Sequence, residues 1–217
     1  MAVSFHVNPE YARIDRVVGN LYLSGVTALS PSILEEHEIT YIINATTEVP
    51  NLRSLSHIPR RKLWLDDTCD SYILPHLEEQ TTQIAHLLSD GHHVLVHCVA
   101  GVSRSASIVL AYLTKYHSAS LREAYHLLAA IRPMVRPNLG FWRQLVTFEE
   151  MTKGRPSSVR LVIDPSQEES LLPDVYLPEA MDGEMRSGPL SERRSSGGKS
   201  KFRPVLATLP EIVDAAA

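Results

Sequence analysis

Hydrophobic positions along this chain fall into two patterns: short unbroken apolar runs, and longer stretches in which apolar residues recur every three or four positions. The first belongs to strands buried on both faces and the second to helices that bury one side. "GNLYLSG" predicts a short strand closing at Gly25. "TYIINAT" (40–46), β-branched and apolar on both faces, predicts a buried strand; "RKLWLDD" (61–67) predicts a second strand running into a loop, and "HVLVH" (93–97) a further buried one. Ser30 followed by Pro31 supplies a side-chain cap and a proline at the first helical position, so a helix to about His37 is expected. Residues 75–89 carry Leu77, Ile84, Leu87 and Leu88 at helical spacing and stop near Gly91. Ile108, Val109, Ala111, Tyr112 and Leu113 mark a helix over 104–117. Ser120 with Glu123 forms a capping box for another, which must end before Pro133, and a last helix runs from about Asn138 to Met151. Strands alternating with helices give an α/β fold, a central sheet flanked by helices.

Composition narrows the picture only modestly. With 217 residues, 44% of them hydrophobic, the chain can bury one good-sized core. A net charge of −4 gives no bulk attraction to nucleic acid or membrane surfaces. Cys69 and Cys98 are too few for a disulfide framework, and "MAVSFHVNPEYARID" lacks the layout of a secretory signal. No apolar run approaches the roughly 20 residues of a transmembrane helix, so a soluble, intracellular chain is expected, cytoplasmic with the nucleus as a second compartment. After about Ala180 the composition shifts. "DGEMRSGPLSERRSSGGKSKFRP" combines Gly, Ser and Pro with six basic residues and no apolar periodicity. Residues 181–217 therefore read as a disordered tail, with 1–180 as the folded domain including a short extension over about 155–180. "RRSS" (193–196) and "KFRPVLATL" resemble a kinase site and a docking peptide, but both read first as solvated linker.

The chemistry concentrates in "HCVAGVSRSAS" (97–107). A free thiol has a pKa of about 8.5, which falls to roughly 3.5–7.5 at a helix N-terminus or beside cations. Cys98 follows a strand and precedes the helix that starts near Arg104, so the loop between can turn several N–H groups inward while the helix dipole adds positive potential. Gly101 permits close backbone approach, and Val99, Ala100, Val102 and Ser103 add no charge of their own. Arg104 supplies a planar fork matched to phosphate oxygens. Residues 99–104 would thus hold a tetrahedral dianion above the Cys98 sulfur, set for in-line attack and a phosphocysteine intermediate. Ser105 can donate a hydrogen bond to that sulfur. His97, at the strand end, is expected to turn its ring away from the anion and organise the loop. The leaving oxygen needs a proton, and "LWLDDTCD" offers Asp66, Asp67 and Asp70, among which spacing does not choose. His92, His93, His97 and Cys98 do not read as a metal site, because strand alternation sends the neighbours to opposite faces.

"HCVAGVSRS" resembles the Cys-x5-Arg-Ser signature of the protein tyrosine phosphatase superfamily, and "AGVSRSA" its small dual-specificity phosphatases. "LYLSG", "IINATTEVPN", "AYLTKYH", "RPMVRPNLGFWRQL", "SSVRLV" and "LLPDVY" are similar to the same group, so the likeness covers about residues 14–177. The set resembles the atypical short enzymes sometimes called MAP kinase phosphatase 6-like. The resemblance implies a mixed sheet surrounded by helices, no metal or other cofactor, and dephosphorylation of phosphotyrosine and phosphoserine or phosphothreonine in proteins, with MAP kinases as candidate partners. It makes Cys98 the nucleophile, Arg104 the phosphate clamp and Ser105 the partner of the leaving thiolate. It aligns Asp67 with the family's acid, Asp66 standing second, and Asn138 and Asn44 with loop-supporting positions. Two rivals remain: a phosphatase for a non-protein phosphate ester, disfavoured by the absence of lysines in the loop, and a phosphoprotein-binding module without turnover. Cys69 reads as an ordinary thiol, with a redox pairing to Cys98 as the alternative.

Overall fold

Five short strands form one sheet: β1 (Asp15–Val18), β2 (Leu21–Ser24), β3 (Tyr41–Asn44), β4 (Arg60–Lys62) and β5 (Val94–His97). The computed structural model describes residues 13–165 and 167–177; the tail expected over 181–217 lies outside the described residues. The strand order is β1-β2-β5-β3-β4. β1 pairs antiparallel with β2, whereas the β2, β5, β3 and β4 neighbours are all parallel, so the sheet is mixed.

Period-two alternation decides what each strand buries. Leu21, Leu23, Ile43, Val94 and Val96 face one hydrophobic cluster, while Tyr22, Ile42 and Leu95 face a second on the opposite side. Each such side chain contributes about 1.5–3 kcal/mol when fully buried. The first cluster is covered by α2 (Leu74–Ser89), α3 (Arg104–Tyr116), α4 (Leu121–Ile131) and α5 (Leu139–Lys153). The second is closed by the short α1 (Pro31–Glu36) and the 52–58 turn. α3 packs against α2, α4 and α5, and every residue from Arg104 to Thr114 is buried. A helix buried on all sides over these residues lies at the centre of the fold.

The caps expected at Ser30 and Ser120 form, and Asn138 caps a third helix that the sequence reading gave no cap. Ser30 Oγ accepts from the Ile33 amide at 3.3 Å, Ser120 Oγ from Glu123 at 3.2 Å, and Asn138 Oδ1 from Phe141 at 2.9 Å. Three features differ. β4 spans Arg60–Lys62 and shares only Arg61 and Lys62 with the expected 61–67 segment, because the chain leaves the ladder when Leu65 N turns back to Leu63 O, although Leu63 and Leu65 stay buried. β1 goes unannounced in "DRVV", where a buried Asp15 stands at an apolar-face position. A separate antiparallel hairpin, β6 (Leu161–Asp164) with β7 (Gln167–Pro173), follows α5. The turn after it docks through Trp142 Nε1, which donates to Tyr176 OH at 2.6 Å, and through the Arg122–Asp174 ion pair at 2.7 Å.

His97 at the end of β5 is in register with Ser24 of β2 and Asn44 of β3. Three parallel strands therefore end together, and the loops that leave them meet at one edge of the sheet. Crevices beyond the carboxyl ends of parallel strands are where such sheets bind ligands.

Candidate active site

Between β5 and α3 the chain forms a loop in which every carbonyl oxygen from residue 98 to 103 is taken from outside. Cys98 O accepts from His97 Nδ1 at 3.3 Å, Val99 O from Val26 N at 2.8 Å and Val102 O from Arg136 N at 2.9 Å. Ala100 O and Gly101 O accept from Arg132 Nη2 and Nε at 2.9 and 2.8 Å, and Ser103 O accepts from Ser107 N at 2.8 Å. Carbonyls fixed outward leave the N–H groups facing inward. The Gly101 N–H reaches Cys98 Sγ at 3.2 Å, and among the described residues no protein acceptor takes the N–H of Val99, Ala100, Val102, Ser103 or Arg104. Inward amides without acceptors form a concavity suited to an anion. Gly101 has φ +70°, and a Cβ there would stand 2.6 Å from the Ser24 carbonyl, so the turn demands glycine.

Cys98 is 1% exposed, and its sulfur accepts a second hydrogen bond from Ser105 Oγ at 3.1 Å. Both donors are placed to support a thiolate. His97 is buried, and burial above all, with the charges of Arg104 and Lys62, lowers its pKa to about 4. Its ring is neutral near pH 7 and donates from Nδ1 to the Cys98 carbonyl.

Arg104 is buried, and its five N–H donors can be counted. Nη1 gives one to Glu48 Oε2 at 2.7 Å and one to Leu65 O at 3.0 Å; Nη2 gives one to Glu48 Oε1 at 2.7 Å. The Nε–H has no hydrogen-bond partner, and Asp67 Oδ2 lies 3.5 Å away as an ion-pair neighbour. Nε and the second Nη2 hydrogen share one edge of the guanidinium. That edge is the fork open to a phosphoryl group. Partial burial disfavours the Glu48 carboxylate, but the hydrogen bonds and charge of Arg104 outweigh it and lower its pKa to about 2.

The loop after β4 brings one of the three candidate acids over this edge. Asp67 Oδ1 accepts from Ser103 Oγ at 2.7 Å and from Asn138 Nδ2 at 2.9 Å, leaving Oδ2 toward Arg104. Asp66 instead accepts from Thr47 Oγ1 at 2.6 Å on the rim, and Asp70 is exposed. Asn138 also holds Thr68 O at 3.3 Å, so the residue that caps α5 pins the acid loop. Cys69 is exposed and Cys98 buried, both as free thiols. Asn44 supports a different loop: its Nδ2 donates to Val49 O at 3.0 Å and its Oδ1 accepts from Thr46 at 2.7 Å, shaping the turn that carries Glu48.

Sequence reasoning did not single out Glu48 or Arg132. Glu48 follows a strand that ends at the same sheet edge as β5, a signal that becomes readable only once strand order is known. Arg132 in "AIRPM" looks like an ordinary helix-end cation.

The profile for "Dual specificity phosphatase, catalytic domain" matches residues 21–151. Human dual specificity protein phosphatase 14 is 39% identical over 169 residues, spanning 77% of this chain and 82% of that protein. The crystal structure of human DUSP28 superposes with a TM-score of 0.61 at 28% identity, covering 64% of this chain and 95% of that one. A mouse putative dual specificity phosphatase complexed with zinc tungstate gives 0.61 at 28% identity, covering 71% and 95%. An anion cradle with a buried thiol at its base, on a sheet shared with these proteins, is what this sequence likeness encodes: the chain belongs to the dual specificity phosphatases, cysteine-dependent enzymes that dephosphorylate proteins.

Proposed function

We propose that Cys98, Arg104, Asp67 and Ser105 carry out a two-step hydrolysis of phosphotyrosine and phosphoserine or phosphothreonine. The observation that carries this reading is the sulfur of Cys98 between the Gly101 N–H and the Ser105 hydroxyl, beneath a ring of acceptor-free amides. In the first step the thiolate attacks phosphorus, an S–P bond forms and the ester P–O bond breaks. Asp67 Oδ2 gives its proton to the leaving oxygen, while Oδ1 stays fixed by Ser103 and Asn138. Amides 99–104 and the Nε/Nη2 edge of Arg104 hold the equatorial oxygens as charge develops. In the second step Asp67, now a carboxylate, takes a proton from water. The oxygen attacks phosphorus, the S–P bond breaks, and Ser105 and Gly101 receive the departing thiolate.

The substrates proposed are proteins of the MAP kinase pathway, as the resemblance to the MAP kinase phosphatase 6-like group implies. The uncharged Val99, Ala100, Val102 and Ser103 suit a single phosphate better than a highly anionic headgroup. The folded domain is taken as 1–180 with the tail beyond it, acting in the cytoplasm or nucleus, where free thiols stay reduced.

The test is turnover of doubly phosphorylated MAP kinase activation-loop peptides by the wild-type chain beside Cys98→Ser. The wild type should release phosphate from them, and the variant should retain phosphorylated kinase without releasing any. Turnover by Cys98→Ser removes the nucleophile assignment; activity on other phosphopeptides alone removes the MAP kinase assignment.

A further inference from the structure

We propose that Asp15 and Arg132 are positioning residues for catalysis, holding two peptide planes of the 98–103 loop so that their N–H groups face the sulfur and the phosphoryl group. Arg132 follows α4 and is fully buried behind the loop. Its Nη2 and Nε donate to Ala100 O and Gly101 O, and its Nη1 donates to Asp15 Oδ2 at 2.6 Å and Arg13 O at 3.2 Å. Asp15, the first residue of β1, is buried too, and its other oxygen meets Arg13 Nε at 2.5 Å.

The peptide that ends in Ala100 O carries the N–H of Gly101, the amide bonded to Cys98 Sγ; the one that ends in Gly101 O carries the N–H of Val102. Only these two carbonyls among those of residues 98–103 receive a guanidinium donor; the rest accept from backbone amides, a hydroxyl or the neutral His97 ring. A cation on a carbonyl polarises the N–H of the same peptide, so the charge of Arg132 acts on the sulfur through one peptide group. Orientation matters as much. Gly101 at φ +70° sits where glycine has freedom to leave, and a flipped peptide would turn an oxygen toward the thiolate. Buried ion pairs add little stability over apolar packing of the same volume, so this pair calls for a role other than holding the core. Asp15 lies before residue 21, outside the segment that the family profile matches, and its contribution reaches the chemistry only through Arg132.

This inference rests on Cys98 as the nucleophile. In the full chain, Asp15→Asn, Arg132→Lys and Arg132→Met are compared with wild type, and Asp174→Asn, which weakens the part-buried ion pair to Arg122 in α4, serves as control. The readouts are kcat and KM on p-nitrophenyl phosphate, inhibition by orthovanadate, iodoacetate alkylation of Cys98 near pH 6, and the thermal midpoint. Asp15→Asn and Arg132→Lys should lower kcat by roughly ten- to a hundredfold, with matching losses in vanadate affinity and alkylation rate. Asp174→Asn should lower the midpoint and leave the other three unchanged. Should Arg132→Met not fold, the other two variants decide. Wild-type kcat and vanadate affinity in folded Asp15→Asn and Arg132→Lys would show that the pair serves stability alone. A Cys98→Ser protein that still hydrolysed substrate would instead fail the nucleophile assignment, whatever these variants do.

Discussion

At Arg104, two functions divide one guanidinium. Glu48 and the Leu65 carbonyl take three N–H donors and orient the group, and in the proposed mechanism the remaining edge holds the phosphate. Glu48→Gln keeps the size but can accept through one oxygen only, and it removes the charge that faces the cation. kcat/KM should fall by about tenfold, the equivalent of one charge-assisted hydrogen bond, with a smaller change in thermal midpoint; steady-state kinetics beside a melting curve checks both. Asp67→Ala tests the proton donor. In the proposed mechanism Asp67 supplies the proton that the leaving oxygen takes, so the variant should be impaired most where that oxygen is most basic. Its loss should reach roughly 10²–10⁴-fold on alkyl phosphates and stay small on p-nitrophenyl phosphate, whose leaving group needs no proton. An unchanged rate on alkyl phosphates would return the role to Asp66. Cys98, Arg104 and Ser105 were legible because one turn of chain brings them together. Asp67 took the family resemblance to single out, and Glu48 stayed hidden because it meets Arg104 across 56 residues, through the pairing of β3 with β5.

Elements whose signals are local came through from the sequence. α1 and α4 begin at side-chain caps, and β2, β3 and β5 are unbroken apolar runs, so pattern and capping sufficed. β1, β4 and the β6/β7 hairpin were missed or misjudged because their stability comes from neighbours: edge strands are half polar, and their length is set by where a partner stops pairing. The acid loop is the element-scale case that matters for chemistry. Gly140, in the first turn of α5, lies so close to the loop that a Cβ there would overlap the Cys69 carbonyl. Gly140→Ala must therefore lift the loop or shift the helix, at a cost of about 1–3 kcal/mol. Lifting carries Asp67 away from the Ser103 and Asn138 donors that fix it, so alkyl phosphate turnover should drop while iodoacetate labelling of Cys98 keeps its wild-type rate. Equal turnover of alkyl and aryl substrates relative to wild type would place the strain in α5 instead.

For the molecule as a whole, the buried charges and rings of the site make acid the direction of weakness. His97 sits at the junction of β5 and the catalytic loop, and burial holds its pKa at about 4 against an ordinary 6.5. The unfolded chain therefore binds a proton that the folded chain refuses, and stability falls as pH drops from about 6.5 toward 4, by about 3 kcal/mol from this residue. Two carboxylates extend the trend. Glu48, lowered to about 2, stabilises the fold above the ordinary carboxylate pKa and loses that contribution as pH falls through about 2. Glu149 is also lowered: burial opposes its charge, but bonds from Ser157, the Leu121 amide and Ser158 prevail, so its contribution is lost in the same direction. Acid unfolding should thus proceed in two ranges, an imidazole range above pH 4 and a carboxylate range below it. Urea midpoints for wild type and His97→Gln, taken at intervals between pH 7.5 and 4, separate them. The wild type should weaken steadily across that interval and the variant much less, since glutamine binds no proton in either state. Parallel curves for the two proteins would mean that the His97 ring is protonated in the folded chain, and its Nδ1–H would then no longer be evidence for a neutral organiser of the loop.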